Sequence, residues 1–224
     1  MRRNMIHSCA RVAGVTRPLC LSQDPAADEL LGRDPLALLT GMLLDQQIAM
    51  EWAFTGPYTI AQRLGGELDP HEIATYAPES FATLLSAKPA VHRYPSSMAK
   101  RVQQLARFVV ERYGGDAAAV WRDVDTGEQL LRRLWEMPGF GPQKAQIFLA
   151  LLGKQFGVCP PGWRAAAGPY GEDGVYRSIA DIVDDDSLAR VRSYKQEMKQ
   201  QAKQAKQAKQ AKQANQAEET KQSQ

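Results

Sequence analysis

The sequence is poor in cysteine and has no long apolar run, and these absences exclude several classes of protein. Its three cysteines, Cys9, Cys20 and Cys159, are too widely spaced for a disulfide framework or for close metal ligation. We therefore expect reduced thiols, no iron–sulfur cluster and no structural zinc site. No apolar run approaches the length of a membrane span, and the first residues lack the continuous apolar segment of a secretory signal. The composition predicts a cytoplasmic protein, not a membrane protein, and we expect a monomer.

Sustained alternation of apolar and polar residues with a period of two is also absent, so the sequence predicts no β-sheet. Residues 36–44 are apolar almost all round, which is typical of a helix buried on most sides, and residues 98–109 carry a single apolar stripe. The body is therefore predicted to be all-α. Helix starts are predicted at Asp24-Pro25, Asp34-Pro35, Thr55-Gly56-Pro57, Asp69-Pro70, Ser96 or Ser97, and Thr126.

The net charge of +3 is unevenly distributed along the chain. From Lys195 onward there are seven lysines and three glutamates, or +4, which leaves 21 basic and 22 acidic residues, or −1, for the rest. From Lys199 the tail repeats Lys-Gln-Ala with a period of three and has no apolar stripe. It is predicted to be solvated, and either partly helical or disordered. Its charge favours salt-sensitive attraction to nucleic acid, and the alternative is a solvated extension without a partner.

These patterns divide the chain into three parts. Residues 1–20 contain four arginines, no acidic residue and no clean periodicity, and they are predicted to form a loose N-terminal extension. Residues 21–195 form the predicted all-α domain, and residues 196–224 form the low-complexity tail. Within the domain, residues 159–174 are rich in proline and glycine and are predicted to be a loop.

The most informative stretch runs from Met137 to Lys144 and lies between two apolar helical patterns. Gly139 and Gly141 would each cost roughly 1 kcal/mol inside a helix relative to alanine, so they indicate a tight turn with positive φ or close approach to an outside molecule. Pro142 stands where a new helix would begin. The free N–H groups and positive dipole end of that helix, with no acidic residue between 137 and 152, suit a nucleic-acid phosphate.

This hairpin, taken with Leu44-Asp45-Gln46-Gln47 at the end of the buried helix, resembles the helix-hairpin-helix (HhH-GPD) superfamily of base-excision DNA glycosylases, which contains endonuclease III and alkyladenine glycosylases. Residues 137–141 match the family's Leu-Pro-Gly-Ile/Val-Gly hairpin, and residues 44–47 match part of its Leu-Ser-x-Gln-like segment. The resemblance covers about residues 34–157. It implies a two-lobed helical bundle with a DNA cleft between the lobes.

The resemblance also implies how the chain would hold double-stranded DNA. Backbone N–H groups of the hairpin would contact phosphates, Lys144 would add a further contact, and Gln47 would probe the DNA beside a flipped base. The residues expected to bind DNA are Gly139, Phe140, Gly141, Gln143, Lys144 and Gln47. A monovalent cation at the hairpin carbonyls is implied as well, and we expect no other cofactor or metal.

The chain departs from the family at the position of the catalytic aspartate. Spacing places that residue at Pro160 or Pro161, and proline can neither stabilise a developing oxocarbenium charge nor activate water. The lysine of the bifunctional members corresponds to Gln143, and Lys144, one place further along the helix, is expected to point elsewhere. The family's cluster of four cysteines is absent too. The catalytic residue is therefore left unassigned.

Three aspartates are candidates for the missing acid. Asp45 adjoins two glutamines at the predicted cleft, although it is also an ordinary polar end to a helix. We expect Asp173 to be a turn residue and Asp181 a solvated helical residue, and the alternative is that the loop folds back into the cleft. Trp163 is expected to anchor this loop in the core, with stacking on a base as the alternative.

The sequence thus predicts a DNA-binding protein of base-excision repair, an N-glycosylase that removes a damaged or mismatched base from duplex DNA. One alternative is a non-catalytic binder of damaged or structured DNA that has lost the catalytic aspartate. Another is an all-α scaffold for protein interactions, in which the hairpin is merely a tight turn between helices.

Overall fold

The computed structural model describes residues 18–222, with side chains described up to Ala205 and at Gln207. Within these residues there is no β-strand, which confirms the all-α prediction. None of the described helices combines the length and the hydrophobicity that crossing a membrane requires. The helices are α1 (Pro25–Arg33), α2 (Pro35–Leu44), α3 (Met50–Arg63), α4 (Pro70–Thr75), α5 (Pro78–Ser86), α6 (Pro95–Tyr113), α7 (Gly127–Trp135), α8 (Pro142–Gln155), α9 (Trp163–Ala166) and α10 (Asp185–Gln222).

Helices α1, α2 and α4 begin where an aspartate cap precedes a proline. The carboxylates of Asp24 and Asp34 accept first-turn N–H groups, as predicted, at 2.9 Å and 2.8 Å. Two predicted starts are wrong. Helix α3 begins at Met50 and contains Pro57 in its interior, because buried residues ahead of the proline hold about two additional turns in the core. Helix α6 begins at Pro95, before the two serines.

Helix α2 is central, and its residues from Leu36 onward are all buried, as predicted. It packs most extensively on α3, and two glycines permit the close approach. A Cβ added at Gly41 would lie 2.7 Å from Phe54 Cδ1, and one added at Gly56 would lie 2.6 Å from Leu44 Cδ1. This packing fixes the carboxyl end of α2, where the candidate site lies.

Two further groups of helices surround α2. Helices α4 and α5 pack on α6, while α7 and α8 form an antiparallel pair that packs with α9. The buried side chains form one continuous cluster that extends from Leu19 to Val191. Leu19 is thus part of the core although residues 1–20 were predicted to be loose; residues 1–17 lie outside the described part.

The segment 159–174 is not a plain loop. It contains α9 and a 3₁₀ turn at Gly168–Tyr170, and Trp163 is buried in the core, as expected for an anchor. The ring of Trp163 packs on the backbone of Gly153, where an added Cβ would lie 2.4 Å from Cζ3. Helix α10 runs without interruption through the predicted domain boundary at 195 and along the tail.

Candidate nucleic-acid interface

The hairpin between α7 and α8 consists of residues 136–141. Phe140 N donates to Met137 O at 3.1 Å and closes the turn. Gly139 has a φ of +83°, a left-handed conformation that favours glycine. Gly141 has a φ of −77° and precedes the first residue of α8. A Cβ at Gly141 would meet no described atom within 4 Å, so nothing in the described fold requires glycine there.

Two apolar side chains anchor the hairpin from beneath. Met137 and Phe140 are 2% and 3% exposed, and the Phe140 ring meets Phe148 of α8 edge to face with centroids 5.7 Å apart. Phe140 was expected to bind DNA. Because its side chain is in the core, it presents only backbone atoms at the surface.

The hairpin docks on the carboxyl end of α2 through one apolar and one polar contact. A Cβ at Gly139 would lie 2.3 Å from Leu43 Cδ1, so the hairpin backbone rests directly on that leucine. Lys144 Nζ donates to Leu43 O at 3.0 Å. The negative end of the α2 dipole favours the ammonium there. The Lys144 side chain is therefore directed at the end of α2 and the turn that follows it.

That turn holds the predicted DNA probe. Asp45 has φ −69° and ψ 73°, typical of an inverse γ-turn, and Gln46 N donates to Leu44 O at 2.7 Å. Gln47 is exposed and has a φ of +59°. A left-handed conformation at a residue other than glycine is strained and is often found at functional sites.

Gln46, which sequence reasoning did not assign a role, holds the turn in place. Its side-chain amide donates to Leu43 O at 2.7 Å and accepts from Arg101 Nη1 of α6 at 2.9 Å. Its backbone carbonyl is 3.0 Å from His92 Nε2. The only signal in the sequence was its position between Asp45 and Gln47.

His92 is a neutral ring that stabilises the turn through a hydrogen bond to Gln46 O. Its Nδ1 accepts from Tyr94 N at 2.9 Å, so the proton is on Nε2, which donates to Gln46 O. Burial lowers the pKa of His92, against the effect of the hydrogen bonds to the carbonyls of residues 46 and 44, and the charges of Lys144 and Arg101 lower it further. Because of this neutral state the turn keeps its support at neutral pH.

An exposed aromatic edge adjoins this turn. Trp52 and Tyr94 are 41% and 44% exposed, and both contact the His92 ring. The guanidinium of Arg93 lies 5.3 Å from the centroid of the Tyr94 ring. Flat aromatic and cationic groups of this kind suit a nucleic acid.

Lys144 has unusual electrostatics for a lysine. Burial lowers its pKa to about 8, the negative charge of Asp45 acts in the opposite direction, and the positive charge of Arg101 lowers it further. Lys144 was expected to point elsewhere than Gln143, the position that corresponds to the lysine of the bifunctional members. In the structure its amine donates to Leu43 O where the hairpin meets α2, and it interacts with the charge of Asp45.

The other two candidate acids lie elsewhere. Asp173 is exposed and pairs with Arg164 at 2.6 Å. Asp181 was expected to be solvated, which is wrong: its carboxylate is buried and pairs with Lys154 Nζ at 2.6 Å. It also completes the capping box of Ser178. Lys154 is ten residues beyond Lys144 on α8, or about 15 Å along the helix axis.

The segment in place of the family's aspartate also lies away from Lys144. The carbonyl of Pro161 accepts from Gly127 N at 2.8 Å, at the first residue of α7 and thus at the end of the helix pair opposite the hairpin. The chain then returns along α8, and Gln143 Nε2 donates to the Tyr170 hydroxyl at 2.8 Å. Gln143 is exposed beside this contact.

Among the described residues, no group of three or more His, Cys, Asp and Glu side chains is placed to hold a metal ion. The monovalent cation at the hairpin remains a prediction. Met137 O accepts Phe140 N–H and retains a second lone pair, so the hairpin carbonyls are compatible with such a ligand.

Comparison with known proteins agrees with this geometry. A family model of the HhH-GPD superfamily base excision DNA repair proteins matches residues 40–216, well over half of the chain, and includes both the α2 end and the hairpin. Comparison with curated proteins gives no match. The chain belongs to the HhH-GPD superfamily of base-excision DNA repair proteins, a family that binds DNA.

Proposed function

We propose that this protein is a DNA N-glycosylase that releases a damaged or mismatched base from duplex DNA. The observation that carries the proposal is the Lys144 amine, which donates to Leu43 O at 3.0 Å where the hairpin meets α2 and whose pKa is lowered by burial to about 8 despite the nearby charge of Asp45. An amine with a lowered pKa and a carboxylate at a DNA-facing junction are the components of nucleophilic catalysis.

The hairpin supplies the grip. The first turn of α8 has no acidic residue, and the amino end of that helix is exposed at Gly141 and Pro142. A phosphate bound there would fix one strand beside the Asp45–Gln47 turn. Gln47, exposed and strained, would then occupy space beside the displaced nucleotide.

The chemistry proposed for Lys144 is displacement at the sugar. The free amine attacks C1′ of the flipped nucleotide, the N–C1′ bond forms, and the glycosidic bond breaks. The base leaves with the bonding electron pair and takes up a proton. The attached nitrogen gives up two protons, one through Asp45 to the departing base and one to O4′ as the sugar ring opens, which leaves a neutral imine. Water hydrolyses the imine and restores the amine.

The lowered pKa makes this step feasible near neutral pH. With a pKa of about 8, about a tenth of Lys144 is free amine at pH 7. An ordinary lysine would hold less than about one part in a thousand as free amine at that pH.

A second candidate is a DNA-binding protein without glycosylase activity. It is favoured by the prolines at positions 160 and 161 in place of the family's aspartate. It is also consistent with the hydrogen bond from Lys144 to Leu43 O, because this bond gives the lysine a structural role in joining α8 to the end of α2. Both candidates keep the hairpin grip, and they differ only in the release of a base.

Base release from a panel of duplex oligonucleotides, each with one lesion or mismatch, separates the candidates. We expect the wild-type protein to release the base from at least one duplex, and Lys144→Gln to lose that release by at least about 100-fold while it still binds the duplex. Lys88→Gln, an exposed change outside this junction, is the matched control and should retain activity.

Two outcomes contradict the proposal. Tight binding of every duplex without release of any base would support the second candidate. If the protein neither binds a duplex nor releases a base, the result would support the alternative of a scaffold for protein interactions.

A further inference from the structure

We propose that the carboxyl-terminal part of α10 is a second DNA-contacting element, an arm that makes sequence-independent phosphate contacts with duplex flanking the site at the hairpin. We call residues 192–222 the arm. The proposal rests on the proposed function only in that the partner is duplex DNA.

The arm leaves the body beside the candidate site. Val191 is the last buried side chain among those the structure describes in α10. One residue later, Arg192 Nε donates to Glu51 Oε1 at 3.1 Å, in the first turn of α3. Glu51 follows Gln47 by four residues, so the arm starts next to the turn that carries the predicted DNA probe.

The charge of the arm is complementary to DNA. Residues 198–217 contain five lysines and no acidic residue, whereas residues 1–194 carry a net charge of −1. Lys199 and Lys203 are exposed, as are the side chains described around them. The Lys-Gln-Ala repeat has no apolar stripe that could dock on a protein surface, so we expect the arm to bind a partner through its positive charge.

The spacing of the lysines argues against a partner that needs one fixed face. On an α-helix a period of three moves each lysine about 60° back around the axis and about 4.5 Å along it. From Lys203 to Lys212 the lysines therefore wind half-way around the helix. A docked protein contacts one face of a helix, whereas the phosphates of DNA can be bound by mobile lysine side chains on any side of it.

The arm is long enough to reach DNA outside the hairpin site. Its 31 helical residues span about 46 Å, which is the length of about 14 base pairs. Its contribution should therefore depend on the length of the duplex.

The test uses the full chain and two variants. In the neutralised variant, Lys199, Lys203, Lys206, Lys209 and Lys212 are all replaced by Gln. In the exchanged variant, each of these lysines changes places with the glutamine that follows it, which preserves composition and charge. Both variants retain good helix formers. Dissociation constants are measured against salt on duplexes of about 12 and about 36 base pairs, chosen from the reach of the arm.

On the long duplex, we expect the neutralised variant to bind at least about 10-fold more weakly, with a slope of log K against log salt reduced by about 3 to 4 units. On the short duplex it should match the wild type within about 2-fold. The exchanged variant should behave as the wild type on both.

Three results would contradict the proposal that the arm contacts DNA. The neutralised variant could bind the long duplex as tightly as the wild type does, it could lose the same affinity on both duplexes, or the exchanged variant could bind more weakly than the wild type. If neither the wild type nor either variant binds the short duplex, the phosphate-binding role of the hairpin in the proposed function is contradicted. The proposal for the arm is then tested by the long duplex alone.

Discussion

Lys144 is the residue on which the proposed chemistry depends. Its amine is partly buried and donates to Leu43 O, and the charges of Asp45 and Arg101 act on its pKa in opposite directions. The position of one nitrogen therefore sets how much free amine the site holds at a given pH.

The pH dependence of base release tests this arrangement. Release should rise with pH through a midpoint near pH 8, the lowered pKa of Lys144, and level off above it. Asp45 raises that pKa, so Asp45→Asn should move the midpoint to lower pH; Arg101 lowers it, so Arg101→Gln should move the midpoint to higher pH. Single-turnover rates at saturating protein measure the midpoints. Shifts in the same direction would contradict the role given to Lys144.

Residue by residue, sequence reasoning placed backbone features better than side chains. Gly139 was predicted to need positive φ or close approach, and it has both. The direction of Lys144 could not be deduced, because it depends on where the end of α2 lies. Asp181 was expected to be solvated, because nothing in the sequence joins it to Lys154, 27 residues earlier.

At the level of the element, the hairpin contains one glycine that the fold requires and one that it does not. Gly139 packs on Leu43 with positive φ, whereas Gly141 faces no described neighbour. The same chemical change at the two positions should therefore have opposite consequences.

Gly139→Ala should lower the free energy of unfolding by about 1 to 3 kcal/mol, because the methyl group overlaps Leu43 and the φ is strained. Gly141→Ala should leave it within about 0.5 kcal/mol, yet weaken duplex binding by at least about 10-fold, because the methyl group occupies the path of a phosphate. Denaturant unfolding and DNA titration of both variants measure these effects. Unchanged duplex binding by Gly141→Ala would contradict the proposal that the hairpin binds a DNA phosphate.

Elements whose limits are set by local chemistry were predictable. Aspartate caps with proline, and the glycine hairpin, are read from a few neighbouring residues. The start of α3 and the helix α9 were missed because contacts distant in sequence set them, such as Trp163 on Gly153. The all-α class was predictable because it depends on periodicity over the entire chain.

In the whole molecule, helices from different parts of the chain converge on the carboxyl end of α2. The hairpin supplies Gly139, α8 supplies Lys144, α6 supplies Arg101, and the segment before α6 supplies His92. The arm of α10 leaves the body beside the same end through Glu51. The proposed phosphate-binding hairpin, the proposed reactive amine and the predicted DNA probe therefore all lie at the carboxyl end of α2.

The most direct test of the central claim is covalent trapping at Lys144. The protein is incubated with a lesion-bearing duplex in the presence of borohydride, which reduces an imine to a stable amine, and the adduct is mapped by mass spectrometry. We expect a protein–DNA adduct on Lys144 and none with Lys144→Gln. An adduct on a different lysine, or base release without any adduct, would contradict it.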